Sequence, residues 1–354
     1  MTRYPQLQEE LRRAPRTWVV TGAAGFIGSN LVEALLRLDQ NVVGLDDLSA
    51  GTRRNLAEAA TAPGTGGSFR FLEADVCDYD ACMAACKGAD YVLHQAALTS
   101  VPQSMEDPSG TLQVNVAGTL NVVLAARARG VRRMVFASSS AVYGDSPVLP
   151  AREGTVGVAL SPYGLSKAMD EQIAALYARI GRLESVGLRY FNVFGPRQDP
   201  RSAYAAVIPN WTATLLAGGR CTVHGDGLAT RDFVPVGDVV QANLLGAAGG
   251  PLPEPARVYN VGTGRSTSLR ELWTLLAGAV RRASPGTHVA PCAHGPARDG
   301  DIRHSQADIS RIRAELGFEP PADLAAALAE TVSWYAARAP RPEPLAMTEE
   351  CVSA

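Results

Sequence analysis

Tyr163 and Lys167 stand four residues apart, directly after the pair Ser161-Pro162. A serine followed by proline at the first helical position marks a helix start, and the i,i+4 spacing puts both side chains on one face close to it. A phenol ordinarily keeps its proton to about pH 10, but a neighbouring ammonium favours the phenolate. Tyr163 can therefore work as a general base and then return the proton as an acid, with Lys167 tuning it. A second polar cluster, Ser138, Ser139 and Ser140, closes the apolar run that begins at Met134. A hydroxyl at a strand end can bridge the phenol and an alcohol on a substrate. Each feature alone is common: Tyr-x-x-x-Lys also suits a surface pair, and serines at a strand end often cap their own backbone.

Gly22, Gly25 and Gly28, with Phe26 and Ile27 between the last two, follow the run Trp18 to Thr21 and open a segment whose apolar face is Ile27, Leu31, Leu35 and Leu38. Strand, glycine turn and helix in that order are the context of a dinucleotide-binding turn. The glycines allow a tight turn and close approach of backbone N–H groups to a pyrophosphate, and the helix N-terminus adds partial positive charge. Asp46 ends the next strand, 18 residues beyond Gly28. A carboxylate there accepts from both adenosine ribose hydroxyls and repels a 2′-phosphate, which favours NAD over NADP. Arg53 and Arg54 are the opposing signal and read as solvated or pyrophosphate-facing charges. The expected cofactor set is Gly22, Gly25, Phe26, Ile27, Gly28, Asp46, Gly51, Asp75 and Val76 near the adenine, Gln95 and Ala97 after the fourth strand, and Tyr163 and Lys167 at the reacting end.

These positions need a frame that brings strand ends together. Strand-like runs at Trp18–Thr21, 42–46, Phe69 to Asp75, Tyr91 to His94, Met134 to Ser138 and Ser185 to Tyr190 alternate with helical segments from Phe26 and near 80–87, 112–129 and 162–181. That alternation predicts an α/β fold, a Rossmann-like doubly wound parallel sheet, with a smaller C-terminal substrate lobe. The expected organisation is an N-terminal helical extension over 1–16 with Leu7 and Leu11 on one face, and an NAD-binding domain over 17–190 with later returns near 232–262. A substrate-binding lobe over 191–231 and 263–338 and a flexible, proline-rich tail over 339–354 complete it. Ala59 to Ser68 reads as a flexible loop.

Composition narrows the class. The 354 residues carry 33 Lys+Arg against 35 Asp+Glu, a formal charge of −2, so no basic field is present to attract nucleic acid or an anionic membrane. No apolar run approaches the ~18 residues of a membrane span and the N-terminus is charged, which predicts a cytoplasmic protein. The cysteines, at 77, 82, 86, 221, 292 and 351, never form Cys-x-x-Cys, so neither a disulfide framework nor a metal site is expected. Cys82 and Cys86 read as small core residues.

From about Trp18 to Tyr335 the chain resembles the extended short-chain dehydrogenase/reductase family, through the glycine turn, Asp46, the Ser139 region and the Tyr163/Lys167 pair. More narrowly, Ser138–Asp145 (SSSAVYGD), Leu188–Gly195 (LRYFNVFG), Thr230–Val234 (TRDFV) and Arg298–Asp301 (RDGD) resemble UDP-sugar C4-epimerases. The N-terminal extension, His94–Leu98, Gln198–Pro200, Ala203–Pro209 and Arg303–Ser305 are similar to the bacterial UDP-N-acetylglucosamine 4-epimerase subgroup. The resemblance implies tightly held NAD, a homodimer formed through the helices near 112–129 and 162–181, and transient oxidation of a UDP-sugar at C4 to a 4-keto sugar. That sugar turns over and is reduced on its other face. It further implies Ser139, Tyr163 and Lys167 as the catalytic set. Thr99, Ser100, Ser139, Ser140, Tyr163, Asn192, Ala206, Val207, Arg231, Arg298, Asp301 and Ser305 form the substrate set. Guanidinium groups suit a diphosphate as bidentate donors, and Asp301 suits ribose hydroxyls. Ser305 leaves room for a 2-acetamido group where related enzymes can carry tyrosine. Thr99 departs from the smaller residue that the N-acetyl subgroup can carry.

The expected reaction is interconversion of UDP-GlcNAc and UDP-GalNAc. Its alternatives are C4 epimerisation of UDP-N-acetylhexosaminuronic acids or of UDP-Glc/UDP-Gal, and more distantly dehydration or non-catalytic NAD binding. A 4,6-dehydratase needs an adjacent Asp and Glu after the catalytic hydroxyl, and here those positions are Ser140 and Ala141. A binding-only relative loses the reacting hydroxyls first, and this chain keeps them.

Overall fold

The computed structural model describes residues 2–181, 183–201, 206–296, 303–320 and 323–338. Strands β1 (Thr17–Thr21), β2 (Asn41–Asp46), β3 (Ser68–Glu73), β4 (Tyr91–His94), β5 (Arg133–Ser139) and β6 (Glu184–Tyr190) are followed by four short ones. These are β7 (Asn192–Phe194), β8 (Thr222–His224), β9 (Thr230–Arg231) and β10 (Phe233–Pro235); β11 (Ala256–Val261), β12 (Thr267–Ser268) and β13 (Ala293–Gly295) complete the series. Seven of them build one sheet in the order β3-β2-β1-β4-β5-β6-β11, every neighbouring pair parallel. The order reverses between β1 and β4, and that reversal opens a crevice at the carboxyl ends of these two strands.

The helices are α1 (Arg3–Arg13), α2 (Phe26–Leu36), α3 (Arg53–Ala60), α4 (Tyr79–Ala85), α5 (Val101–Glu106), α6 (Pro108–Leu112), α7 (Gly118–Ala128) and α8 (Pro162–Gly181). After them come α9 (Val207–Leu216), α10 (Val236–Ala248), α11 (Leu269–Ala283), α12 (Ser310–Leu316) and α13 (Leu324–Ala336). Alternation along β1 sends Trp18 and Val20 to one face, with Leu31, Leu35, Val239 and Leu244, and Val19 to the other, with Val92, Val122 and Phe136. Both faces are thus covered, as a parallel sheet requires. A third apolar cluster, around Phe194, Trp211, Phe233, Leu272 and Leu328, belongs to the C-terminal lobe. The short pairs β7–β10, β9–β12 and β8–β13 lie beside it.

Leu7 and Leu11 of α1 are buried as their spacing predicts, and so are Cys82 and Cys86. Three expectations need correction. The third strand stops at Glu73, because the Asp75 carboxylate accepts from the Cys77 N–H at 2.8 Å and turns the chain. The segment 59–68 is no loop at its ends: Ala59 and Ala60 finish α3, where Ala59 is fully buried, and Ser68 opens β3. The helix expected over 112–129 contains a π-turn at Gln113–Ala117. Its cause is Asn115, which is drawn inward to exchange two hydrogen bonds with the Leu98 backbone (2.8 and 3.0 Å) and a third with Ser166 Oγ (2.9 Å). The tail expected over 339–354 lies outside the described residues.

Candidate active site

Gly22 follows β1 with φ +64°, a left-handed conformation in which a side chain is strained, and a Cβ there would stand 2.7 Å from Ala96 N. Gly28 lies inside α2, where a Cβ would come 2.0 Å from the Gly22 carbonyl oxygen. The first glycine thus lets β1 turn under the β4 exit, and the third lets α2 seat on that turn. Asp46 ties the turn to β2: its Oδ2 accepts from Ala24 N (2.9 Å) and its Oδ1 from Leu48 N (2.8 Å). Burial pushes the Asp46 carboxyl up, and these N–H groups oppose the shift.

The reacting residues come from α8 and the end of β5. Ser161 caps α8 as its type predicts, its Oγ accepting from Gly164 N at 3.0 Å. Pro162 is the first helical residue, so Tyr163 and Lys167 project from the first two turns. Tyr163 is half-buried, and its own N–H donates to the fully buried Ser104 Oγ at 3.2 Å, which fixes the helix start against α5. Lys167 is 2% exposed, its Nζ donating to Asp170 Oδ2 at 3.1 Å. The three serines diverge. Ser138 is buried and donates to Glu171, itself clamped by Arg189, whereas Ser139 Oγ accepts the Ala141 N–H (3.1 Å) and donates to no acceptor among the described residues.

A cavity of about 1050 Å³ spans these groups. Its wall holds Gly22, Gly25, Phe26, Ile27, Gly28, Asp46, Gly51, Asp75, Val76, Gln95 and Ala97 of the expected cofactor set. The same wall holds Ser139, Tyr163, Lys167, Thr99 and Ala206. An extended dinucleotide fits this lining: a glycine cradle that a Cβ would fill, small residues beyond β4, and a carboxylate at the end of β2. Gln95 is held in place by the Tyr190 hydroxyl (3.1 Å) and by Asn243 (3.2 Å).

The other expected residues sit elsewhere. Ser100 caps α5 by accepting from Gln103 N, Ser140 begins the 3₁₀ turn Ser140–Tyr143, and Val207 starts α9. Asn192 of β7 and Ser305, which lies outside the strands, are brought from distant segments to the backbone on either side of Arg231. Asn192 N donates to Asp232 O (3.0 Å), and Ser305 N donates to Thr230 O (3.1 Å). The hub is buried Asp232, whose carboxylate accepts from Thr263, Gly264 and Ala307 backbone N–H groups. Ser305 lies five residues before α12, which begins at Ser310. Arg298 and Asp301 lie outside the described residues.

Several wall residues escape sequence reading. Arg197, with φ +69°, reaches from the second lobe to Ser29 Oγ (3.1 Å), Glu33 (2.7 Å) and Asn30 Oδ1 (2.9 Å) on α2. Trp334, Tyr335 and Arg338 close the far side, where Arg338 lies over the Trp334 ring and donates to Glu58 of α3 at 3.0 Å. His94 lies behind the wall between Thr21 Oγ1 (2.6 Å) and Thr119 Oγ1 (2.9 Å). Burial, reinforced by the Lys167 charge, pushes the imidazole down to about 3, so it is neutral.

Residues 18–262 match the NAD dependent epimerase/dehydratase family. The chain belongs to that family. It is similar to the UDP-glucose 4-epimerase of Mycolicibacterium smegmatis, 42% identical over 320 residues that make up 90% of this chain and 97% of the relative. It is also similar to a dTDP-glucose 4,6-dehydratase of Streptomyces griseus, 36% identical over 335 residues, covering 90% of this chain and 93% of the relative. Among solved structures, the UDP-N-acetylglucosamine 4-epimerase of Methanobrevibacter ruminantium, in complex with UDP-N-acetylmuramic acid, superposes with a TM-score of 0.83. The two are 35% identical, over 92% of this chain and 99% of that one. The protein is an NAD-dependent enzyme of the epimerase/dehydratase type.

Proposed function

We propose that the protein is a UDP-hexose C4-epimerase, with UDP-glucose and UDP-galactose as its first substrate pair. The observation that carries this reading is a single cavity wall shared by the glycine turn, Ser139, Tyr163 and Lys167, with Ser140 and Ala141 beside it. Epimerisation asks the protein for one reversible proton transfer at the 4-hydroxyl, and this set supplies it. Elimination of water across C5 and C6 asks for a further acid and base next to Ser139, and neither Ser140 nor Ala141 has an ionisable group. NAD, when bound, supplies reversible hydride acceptance from C4.

Tyr163 takes the 4-hydroxyl proton, Lys167 supports the phenolate, and Ser139 hydrogen-bonds the same oxygen. In the reverse half, after the sugar has turned over, the same phenol returns the proton to the 4-oxygen. Groups of the second lobe, Asn192 and Arg231 with Arg298 and Asp301, hold the UDP while the sugar turns, so binding energy remote from C4 retains the intermediate.

The M. smegmatis relative supports the unsubstituted hexose pair as the main substrate. Ser305 and the M. ruminantium neighbour favour a second reading, turnover of UDP-GlcNAc and UDP-GalNAc, since a serine there leaves space for the acetamido group. A homodimer belongs to the same proposal. On α8, Leu165, Met169, Leu176 and Ile180 form an exposed apolar stripe, and Val101 and Met105 of α5 are exposed as well. Such a surface calls for a partner. Among the described residues no helix is long and apolar enough to cross a membrane, and a cytoplasmic setting is part of this reading. The test is incubation of the purified protein with UDP-Glc, UDP-GlcNAc and UDP-GlcNAcA, without added oxidant, followed by separation of the C4 epimers. Appearance of UDP-Gal is the expected result, and loss of water to a stable 4-keto-6-deoxy sugar would refute it.

A further inference from the structure

We propose that Asp170 is a positioning residue for the proton step: as the counter-ion of Lys167, it sets the pH at which the Tyr163–Lys167 pair gives up its first proton. The inference rests on the reading of Tyr163 as the base. Tyr163, Lys167 and Asp170 occupy positions i, i+4 and i+7 of α8, which share one face. Lys167 and Asp170 are 2% and 1% exposed, and Nζ and Oδ2 are 3.1 Å apart. Burial pushes the Asp170 carboxyl up, and the Lys167 ammonium and the neighbouring Thr119 hydroxyl oppose the shift; among the described residues Oδ1 has no well-aligned hydrogen-bond donor.

An ion pair kept only for stability is a poor use of such a site, because a buried pair repays its desolvation only when the remaining lone pairs are also satisfied. Here one carboxylate oxygen lacks a well-aligned donor. The feature this pair does supply is charge cancellation one turn from Tyr163. The other ionisable groups around it leave that balance alone. Glu171, next on the helix, is neutralised by Arg189 of β6, and His94 of β4 is neutral. Asn115 of the π-turn and Thr119 of α7 carry no charge. The local charge balance is therefore Lys167 against Asp170, with the Tyr163 phenol one turn before Lys167 on the same face.

Removing the Asp170 charge leaves a positive site, and a positive site releases its first proton at lower pH, whichever member of the coupled pair gives it up. Seven residues of helix separate Asp170 from Tyr163 by about 10 Å. One charge at that distance, screened as in a protein interior, moves the titration by about one pH unit. A second effect follows. An ammonium without its counter-ion is disfavoured in a buried place, so part of the singly deprotonated population keeps the phenol proton and has lost one from Lys167. That form is unreactive, and the plateau rate falls.

The experiment compares wild type with Asp170→Asn, a substitution of nearly equal volume, in the NAD-loaded full-length chain. The acid limb of the kcat/KM profile is expected to move about one unit to lower pH, with a reduced plateau and an unchanged KM for the sugar. A readout independent of turnover is the ultraviolet absorbance of the phenolate, titrated in each protein against the same protein carrying Tyr163→Phe; its midpoint moves in the same direction. An acid limb and phenolate titration that stay in place, or move to higher pH, overturn the proposal, as does a reduced rate without any shift. If Asp170→Asn does not fold, Asp170→Ser is used, and failure of both shows a purely structural carboxylate and also overturns it. A wild type that epimerises no UDP-sugar refutes the proposed function instead, and the phenolate titration still decides the role of Asp170.

Discussion

Gly28→Ala tests how tightly the nucleotide turn is built. The added methyl would lie 2.0 Å from the Gly22 carbonyl oxygen and 2.7 Å from its carbon. Non-bonded heavy atoms settle at about 3.5 Å, so α2 must withdraw from the turn by more than ~1 Å. Both clashing groups are backbone, and neither can rotate aside. Overpacking of this kind destabilises by ~1–3 kcal/mol, and a melting temperature lowered by roughly 2–10 °C is expected. The same displacement pulls the first N–H groups of α2 away from the pyrophosphate. A loss of that size in binding free energy weakens NAD affinity about 5- to 150-fold. Gly25→Ala is the internal comparison: its Cβ meets only the Gly22 oxygen, at 3.2 Å, so the fold should lose no more than ~0.5 kcal/mol. Its methyl still stands on the surface that receives the cofactor, and NAD retention should fall without a matching loss of stability. Calorimetric melting of the apo proteins and NAD titration would be measured for wild type and both variants. A Gly28→Ala protein that melts and binds NAD as wild type does would refute the reasoning, and so would a Gly25→Ala protein less stable than Gly28→Ala.

Three further outcomes are expected. Tyr163→Phe keeps the aromatic packing and removes the proton acceptor, so NAD and UDP-sugar still bind while turnover falls at least ~100-fold, read from kcat and from ligand titrations. Asp46→Asn leaves one oxygen to accept from Ala24 or Leu48 and removes the charge, so purified protein should retain less NAD and discriminate less against NADP, measured by competitive binding of the two. Ser305→Tyr should lower kcat/KM for the N-acetylated pair by roughly 5- to 150-fold and for UDP-Glc/UDP-Gal much less; equal losses would show that Ser305 does not set the size of the sugar pocket.

Sequence alone determined what depends on neighbours along the chain. Gly22, Gly25 and Gly28 announce a turn because tight backbone approach needs glycine within one short segment. Ser161-Pro162 announces the start of α8, and the 3.6-residue period then puts Tyr163 and Lys167 together without any knowledge of the remaining fold. The parallel sheet was legible from its strand and helix alternation for the same reason. Tertiary structure decided what depends on residues far apart. Arg338 meets Glu58 across 280 positions, Arg197 meets α2 across more than 160, and Asn192 and Ser305 come to the backbone of Asp232 and Thr230 on either side of Arg231. No local pattern encodes such pairs, since each partner alone is an ordinary polar surface residue. The π-turn around Asn115 and the burial of Asp170 against Lys167 were hidden for a related reason: Asn and Asp on a helix ordinarily face solvent, and only packing against Leu98, Ser166 and Thr119 turns them inward. Local spacing thus reveals which groups could react, whereas their degree of burial, and so the strength of each charge at Tyr163, is set by what the folded chain lays over them.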